Sequence, residues 1–146
     1  MEQRAAEYLL DSLQIVQNKA ARFVTRRGIY TPRSELLKHC GWLSVRQLVI
    51  YHSVILIHKT ILTKAPRYIY DKLSSEFPYN TRLAESEALR MGPEFQAKLE
   101  ITRRRWSFMH RGTSYYNLLP ADLRKVRKLK DFKVKVKTWV ADNYSI

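Results

Sequence analysis

The chain holds a single cysteine, Cys40, so no disulfide can close within it. One thiol in 146 residues suits a reducing, intracellular setting, nuclear or cytoplasmic. Acidic residues are scarce, thirteen Asp and Glu against twenty-seven Lys and Arg, and no two Asp are adjacent. The adjacent carboxylates that hold catalytic metal ions are therefore missing, and the scattered acids form no acid–base spacing. There are only four glycines, and none sits in the elbow that presents a nucleophilic serine. Among His39, Cys40, His52, His58 and His110 only the first two are neighbours, and adjacent residues rarely share a zinc ion. These absences leave no catalytic residue, no metal site, no cofactor and no small-molecule substrate to expect. The most apolar run, residues 48–62, is broken by His52, His58 and Lys59. It falls short of the ~20 apolar residues that a spanning helix needs, so no membrane partner is expected. The opening residues, with Glu2 and Arg4, show no signal-peptide pattern.

What is present reads as one all-α domain over residues 1–146. Leu9, Leu13, Val16, Ala20 and Phe23 recur at helical spacing and share one face of a helix over 2–25, with Gly28 as its stop. Thr31 and Pro32 read as an N-cap and first helical residue of a short helix that Gly41 ends. Ser44 and Gln47 have capping-box spacing and open a helix over 45–63 that is apolar on most sides. Such a helix belongs at the centre of a domain, with Leu56 buried. Pro66 opens a short helix to Leu73. Residues 74–106 read as an irregular connection with a short strand around 88–91, punctuated by Pro78, Asn80, Gly92 and Pro93. Helices over 107–119 and 129–142 follow, with a turn or short helix after Pro120. The last carries a stripe of Leu129, Phe132, Val136 and Trp139, of which Phe132 and Val136 are expected in the core. Trp42, Trp106, Tyr116 and Trp139 read as core anchors.

The net charge is +14, and a compact domain this basic repels itself unless a polyanion neutralises it. The last third, from residue 101, carries twelve Lys and Arg against three Asp. Three clusters are the candidate nucleic-acid contacts. They are Lys19, Arg22, Arg26 and Arg27 on the first helix; Arg103, Arg104, Arg105 and Arg111; and Lys128, Lys130, Lys133 and Lys137 on the last helix. Trp106, beside the arginine triplet, offers a surface on which a base can stack. The expected partner is RNA or DNA gripped by its phosphates, and the alternative is an acidic protein partner.

Ordered blocks along residues 9–140 resemble a known family. Leu13-Gln14, Gln17-Asn18, Ala20 and Arg22 are similar to a Leu-Gln-x-x-Gln-Asn-x-Ala-x-Arg signature found after the polymerase core of non-LTR retrotransposon reverse transcriptases. The jockey-like and chicken-repeat-like clades are nearest. Leu36-Leu37 with Trp42-Leu43, Val45, Gln47 and Tyr51 resembles their next block, and Lys59 with Ala65-Pro66 and Tyr68 the one after. Thr81-Arg82 sits where they often carry that pair. The final block is Phe108, Arg111-Gly112, Tyr116-Asn117, Leu119-Pro120, Leu123-Arg124, Leu129, Phe132-Lys133 and Lys137. It departs once, with Tyr116 where the family usually has Trp. The resemblance implies a non-catalytic C-terminal module of an endonuclease and polymerase. The Tyr/Phe-x-Asp-Asp box of that polymerase does not occur in this chain, nor does the zinc knuckle of some related clades.

Overall fold

Helix dominates because the apolar spacing of the sequence is helical nearly throughout. The computed structural model describes residues 2–74, 90–91 and 108–144. Seven helical segments lie among them: α1 (Glu2–Thr25), α2 (Arg33–Cys40), α3 (Val45–Thr63), α4 (Arg67–Tyr70), α5 (Phe108–Asn117), α6 (Ala121–Arg124) and α7 (Leu129–Asn143). A minimal antiparallel pair joins β1 (Leu73–Ser74) to β2 (Arg90–Met91), with Leu73 opposite Met91. The strand expected around 88–91 thus exists as two residues. The rest of 74–106 lies outside the described residues. Where the sequence suggests one domain, the contacts gather into two compact units, 1–51 with 137–146 and 52–136. Both α3 and α7 contribute residues to each.

In the first unit α1 packs against α2, with Ala21, Leu36 and Leu37 fully buried and Cys40 against them. The helix ends follow from local chemistry, with two corrections. The left-handed residue after α1 is Arg26 (φ 52°), so the helix stops before Gly28. Pro32 is itself the N-cap of α2 (φ −57°, ψ 144°): its ring holds φ at a value that helix and extended backbone share, and ψ leaves it just outside the helix. Thr31 makes no cap bond there. At the far end Gly41 takes φ 65°, which a residue without Cβ adopts freely, and the Trp42 N–H closes onto the Leu37 carbonyl at 2.9 Å.

The capping box at α3 forms as the spacing requires. The Ser44 N–H donates to Gln47 Oε1 at 2.8 Å, and the Gln47 N–H donates to Ser44 Oγ at 3.3 Å. Around it lies a polar node. Gln14 Oε1 accepts the Val45 N–H at 2.9 Å, and its amide donates to Gln17 Oε1 (2.8 Å) and Asn18 Oδ1 (3.0 Å). Gln17 in turn donates to the Leu43 carbonyl at 2.8 Å, and Gln47 to that of Tyr144. Buried amides are stable only when so satisfied. This inward polar side leaves the apolar face of α1 outward, against the usual rule for an amphipathic helix. Leu9, Leu13, Val16 and Phe23 are 55–86% exposed, and Ala20 is exposed with them.

The second unit is built around α3's buried Val54, Ile57 and His58. Leu56 is only half-buried, and Ile57, one residue on, takes the core position. Gly112 of α5 faces Ile57, and a Cβ there would meet its Cγ1 at 3.4 Å. The His58 ring stacks on Phe132 with centroids 3.6 Å apart. Its Nε2 lies 2.7 Å from the Val126 carbonyl and its Nδ1 3.0 Å from the Tyr116 hydroxyl. A carbonyl can only accept, so Nε2 carries the proton and Nδ1 accepts from Tyr116. Tyr116, Phe132 and Val136 are buried as expected. The short helix after Pro66 ends at Tyr70 rather than Leu73, with Pro66 as its N-cap.

Candidate nucleic-acid interface

The cations of the second unit concentrate where α6 leads into α7. Lys125, Arg127, Lys128, Lys130, Lys133 and Lys135 are all exposed, with only Asp131 among them. None of the six forms an ion pair with a described residue. The burial of Phe132 and Val136 explains the arrangement. Those residues pin the apolar stripe inward, so the lysines between them point to solvent. At about 100° per residue, Lys130, Lys133 and Lys137 fall within about 60° on one side of α7. Lys128 and Lys130 lie at the helix N-terminus, where the aligned peptide dipoles already leave partial positive charge. Cations there work against the helix and suit an incoming anion, as do the unpaired N–H groups of the first turn. Sequence reasoning had singled out Lys128, Lys130 and Lys133 but not Lys125, Arg127 and Lys135. Their signal was the density of the run from Arg124 to Lys137, eight cations in fourteen residues. Arg111, on α5 of the same unit, is half-buried and donates to the Tyr115 hydroxyl at 3.3 Å.

The cations of the first unit are more committed. Arg27 pairs with Glu35, and Arg22 donates to the Ile29 carbonyl at 3.4 Å. Lys19 and Arg26 are exposed and form no ion pair among the described residues. Lys137 donates to the Gly41 carbonyl at 2.9 Å. It helps line an open groove of about 810 Å³ with Leu37, Lys38, Trp42, Gln47 and Asp142. Trp42, expected as a core anchor, is 38% exposed and lines that groove beside Leu37. Glu35 and Asp142 line the same groove, and Glu35 is already paired with Arg27. Arg103, Arg104, Arg105 and Trp106 lie outside the described residues.

Among the described residues no three His, Cys, Asp or Glu side chains gather to hold a metal ion. No single described helix is long and apolar enough to cross a membrane. No family model, curated protein or solved structure matches this chain.

Proposed function

We propose that this chain is a non-catalytic nucleic-acid-binding module, derived from the C-terminal region of a non-LTR retrotransposon reverse transcriptase and working inside the cell. The observation that carries the reading is the run of six exposed cations at the α6–α7 junction, unpaired among the described residues, with Lys128 and Lys130 at a helix N-terminus. Such a surface has no structural use. Each lysine or arginine placed on a phosphate releases condensed counterions, which supplies affinity without reading bases. The module grips RNA or DNA and holds it, and it neither extends a primer nor cuts a strand. A helical protein-interaction module, or a vestigial fragment adopted as one, is the second reading. It is favoured by the exposed apolar side of α1.

The test is a titration with an unrelated-sequence oligonucleotide across salt. Affinity is expected to fall roughly a thousand-fold between about 50 and 200 mM salt if about six phosphates are contacted. Combined Lys130→Glu, Lys133→Glu and Lys135→Glu should weaken binding and flatten the salt slope by about three. The thermal melt should barely move, since exposed charges contribute little to stability. Salt-independent tight binding, or no binding at low salt, would overturn the reading.

A further inference from the structure

We infer that Thr31 is a phosphorylation site for a proline-directed protein kinase, and that the arginines around its turn hold the phosphate. Of the five prolines only Pro32 follows a hydroxyl-bearing residue. A residue before proline is steered away from helical backbone. Pro32 itself carries the chain on at φ −57°, ψ 144° before α2 begins. An extended Thr-Pro step is the form in which such a kinase takes its substrate, because proline has no N–H to be left unpaired in the apolar pocket beside the hydroxyl. The step lies at the surface. Residues 26–30 and 32–34 are exposed, Tyr30 at 92%, and Thr31 is half-buried between them. The Thr31 hydroxyl forms no hydrogen bond with any described residue.

Charge decides what the turn does with the added group. Residues 22–33 carry four arginines and no acid. The Thr31 N–H closes onto the Gly28 carbonyl at 3.2 Å, and Arg22 Nη2 donates to the Ile29 carbonyl at 3.4 Å, which brings that guanidinium to the turn. Arg22 Nε has no hydrogen-bond partner among the described residues. Arg27 reaches Glu35 in the first turn of α2, so its guanidinium lies at the other end of the same turn. Arg26 and Arg33 are exposed and form no ion pair among the described residues. A phosphothreonine brings about −1.5 to −2 charges and three acceptor oxygens at neutral pH. A planar guanidinium meets such a group with two hydrogen bonds at once. The phosphate draws Arg27 from Glu35 and ties the end of α1 to the start of α2.

In the transfer, Thr31 Oγ1 attacks the γ-phosphorus of ATP. The Oγ1–P bond forms, the bond from that phosphorus to the β–γ bridging oxygen breaks, and ADP leaves. The hydroxyl proton passes to the kinase's base. The modification requires nothing of the nucleic-acid reading.

The experiment treats the folded full chain with a proline-directed kinase, magnesium and ATP, and locates phosphate by mass spectrometry. One phosphate on Thr31 is expected, retained in Thr31→Ser and lost in Thr31→Ala, with the circular dichroism spectrum unchanged in both variants. A phosphorus NMR titration of the modified chain then reads the second ionisation of the phosphate. Arginines in contact should bring it to about pH 5, from its ordinary value of about 6. Combined Arg27→Gln and Arg33→Gln should return it toward about 6. A folded chain that takes up no phosphate would overturn the inference. So would phosphate on another residue with Thr31 untouched, or on Thr31 only after unfolding in urea. A parent chain whose phosphate titrates at the ordinary value would overturn the arginine seat.

Discussion

Helices α1 and α7 look alike on paper, each with an apolar stripe beside a row of cations, yet they are used in opposite ways. The stripe of α7 goes inward: Phe132, Val136 and Val140 are fully buried and its lysines face water. That of α1 goes outward: its buried positions are Gln14 and Ala21, while Phe23 stands 86% exposed. An apolar stripe therefore states that a helix has an interface, without stating whether that interface lies inside the fold. The inward face of α1 is held by hydrogen bonds between amides, and that of α7 by packing around a histidine. These two kinds of adhesion respond differently to substitution and to pH.

The largest expected effect contrasts the two phenylalanines. Phe132→Ala should cost about 3–5 kcal/mol, because it leaves a cavity and removes the stacked partner of His58. Phe23→Ala should fall within about 0.5 kcal/mol of the parent in a denaturant titration, since the ring is already in water. Comparable losses would show that α1's outer face is covered in solution.

Next comes Gln14→Leu, which keeps the volume but strips the partners from the Val45 N–H and from Gln17 and Asn18. A loss of about 1–3 kcal/mol is expected, read in the same titration. A gain would mean that the amide network orients α1 without stabilising it.

The smallest effect is the pH response of the buried face of α7. Burial lowers the His58 pKa below its ordinary 6.5, against a lesser opposing pull from the Val126 carbonyl. The folded state thus binds fewer protons than the unfolded one in the histidine range. The contribution is complete above about pH 6.5 and is lost as pH falls below that value. The melting temperature should drop between neutral pH and pH 5, and His58→Gln should reduce the slope. An unchanged slope would place the titration elsewhere.

Much of the fold was legible because its causes are local. The bounds of α1, α3 and α7, the capping box of Ser44 and Gln47, the Gly41 stop and the burial of Phe132, Val136 and Tyr116 depend on neighbours within one or two turns. The candidate interface is legible in part, as charge density: Lys130, Lys133 and Lys137 share one side of α7, whereas Lys125 and Arg127 precede the helix and Lys135 lies off that side.

By itself the sequence determined the helices α1, α3 and α7, the capping box at Ser44 and Gln47, the Gly41 stop, and an excess of positive charge with no adjacent Asp pair. Tertiary structure alone decided which side of α1 turns inward, that Ile57 rather than Leu56 enters the core, that Trp42 opens onto a groove and that Arg27 is neutralised by Glu35. The reason is range. Helical periodicity and capping are settled within a few residues. The inward side of α1 depends on carbonyl and N–H partners 26 and 31 residues away, at Leu43 and Val45, which satisfy Gln17 and Gln14. Those partners make a polar side buriable and leave the apolar side facing outward.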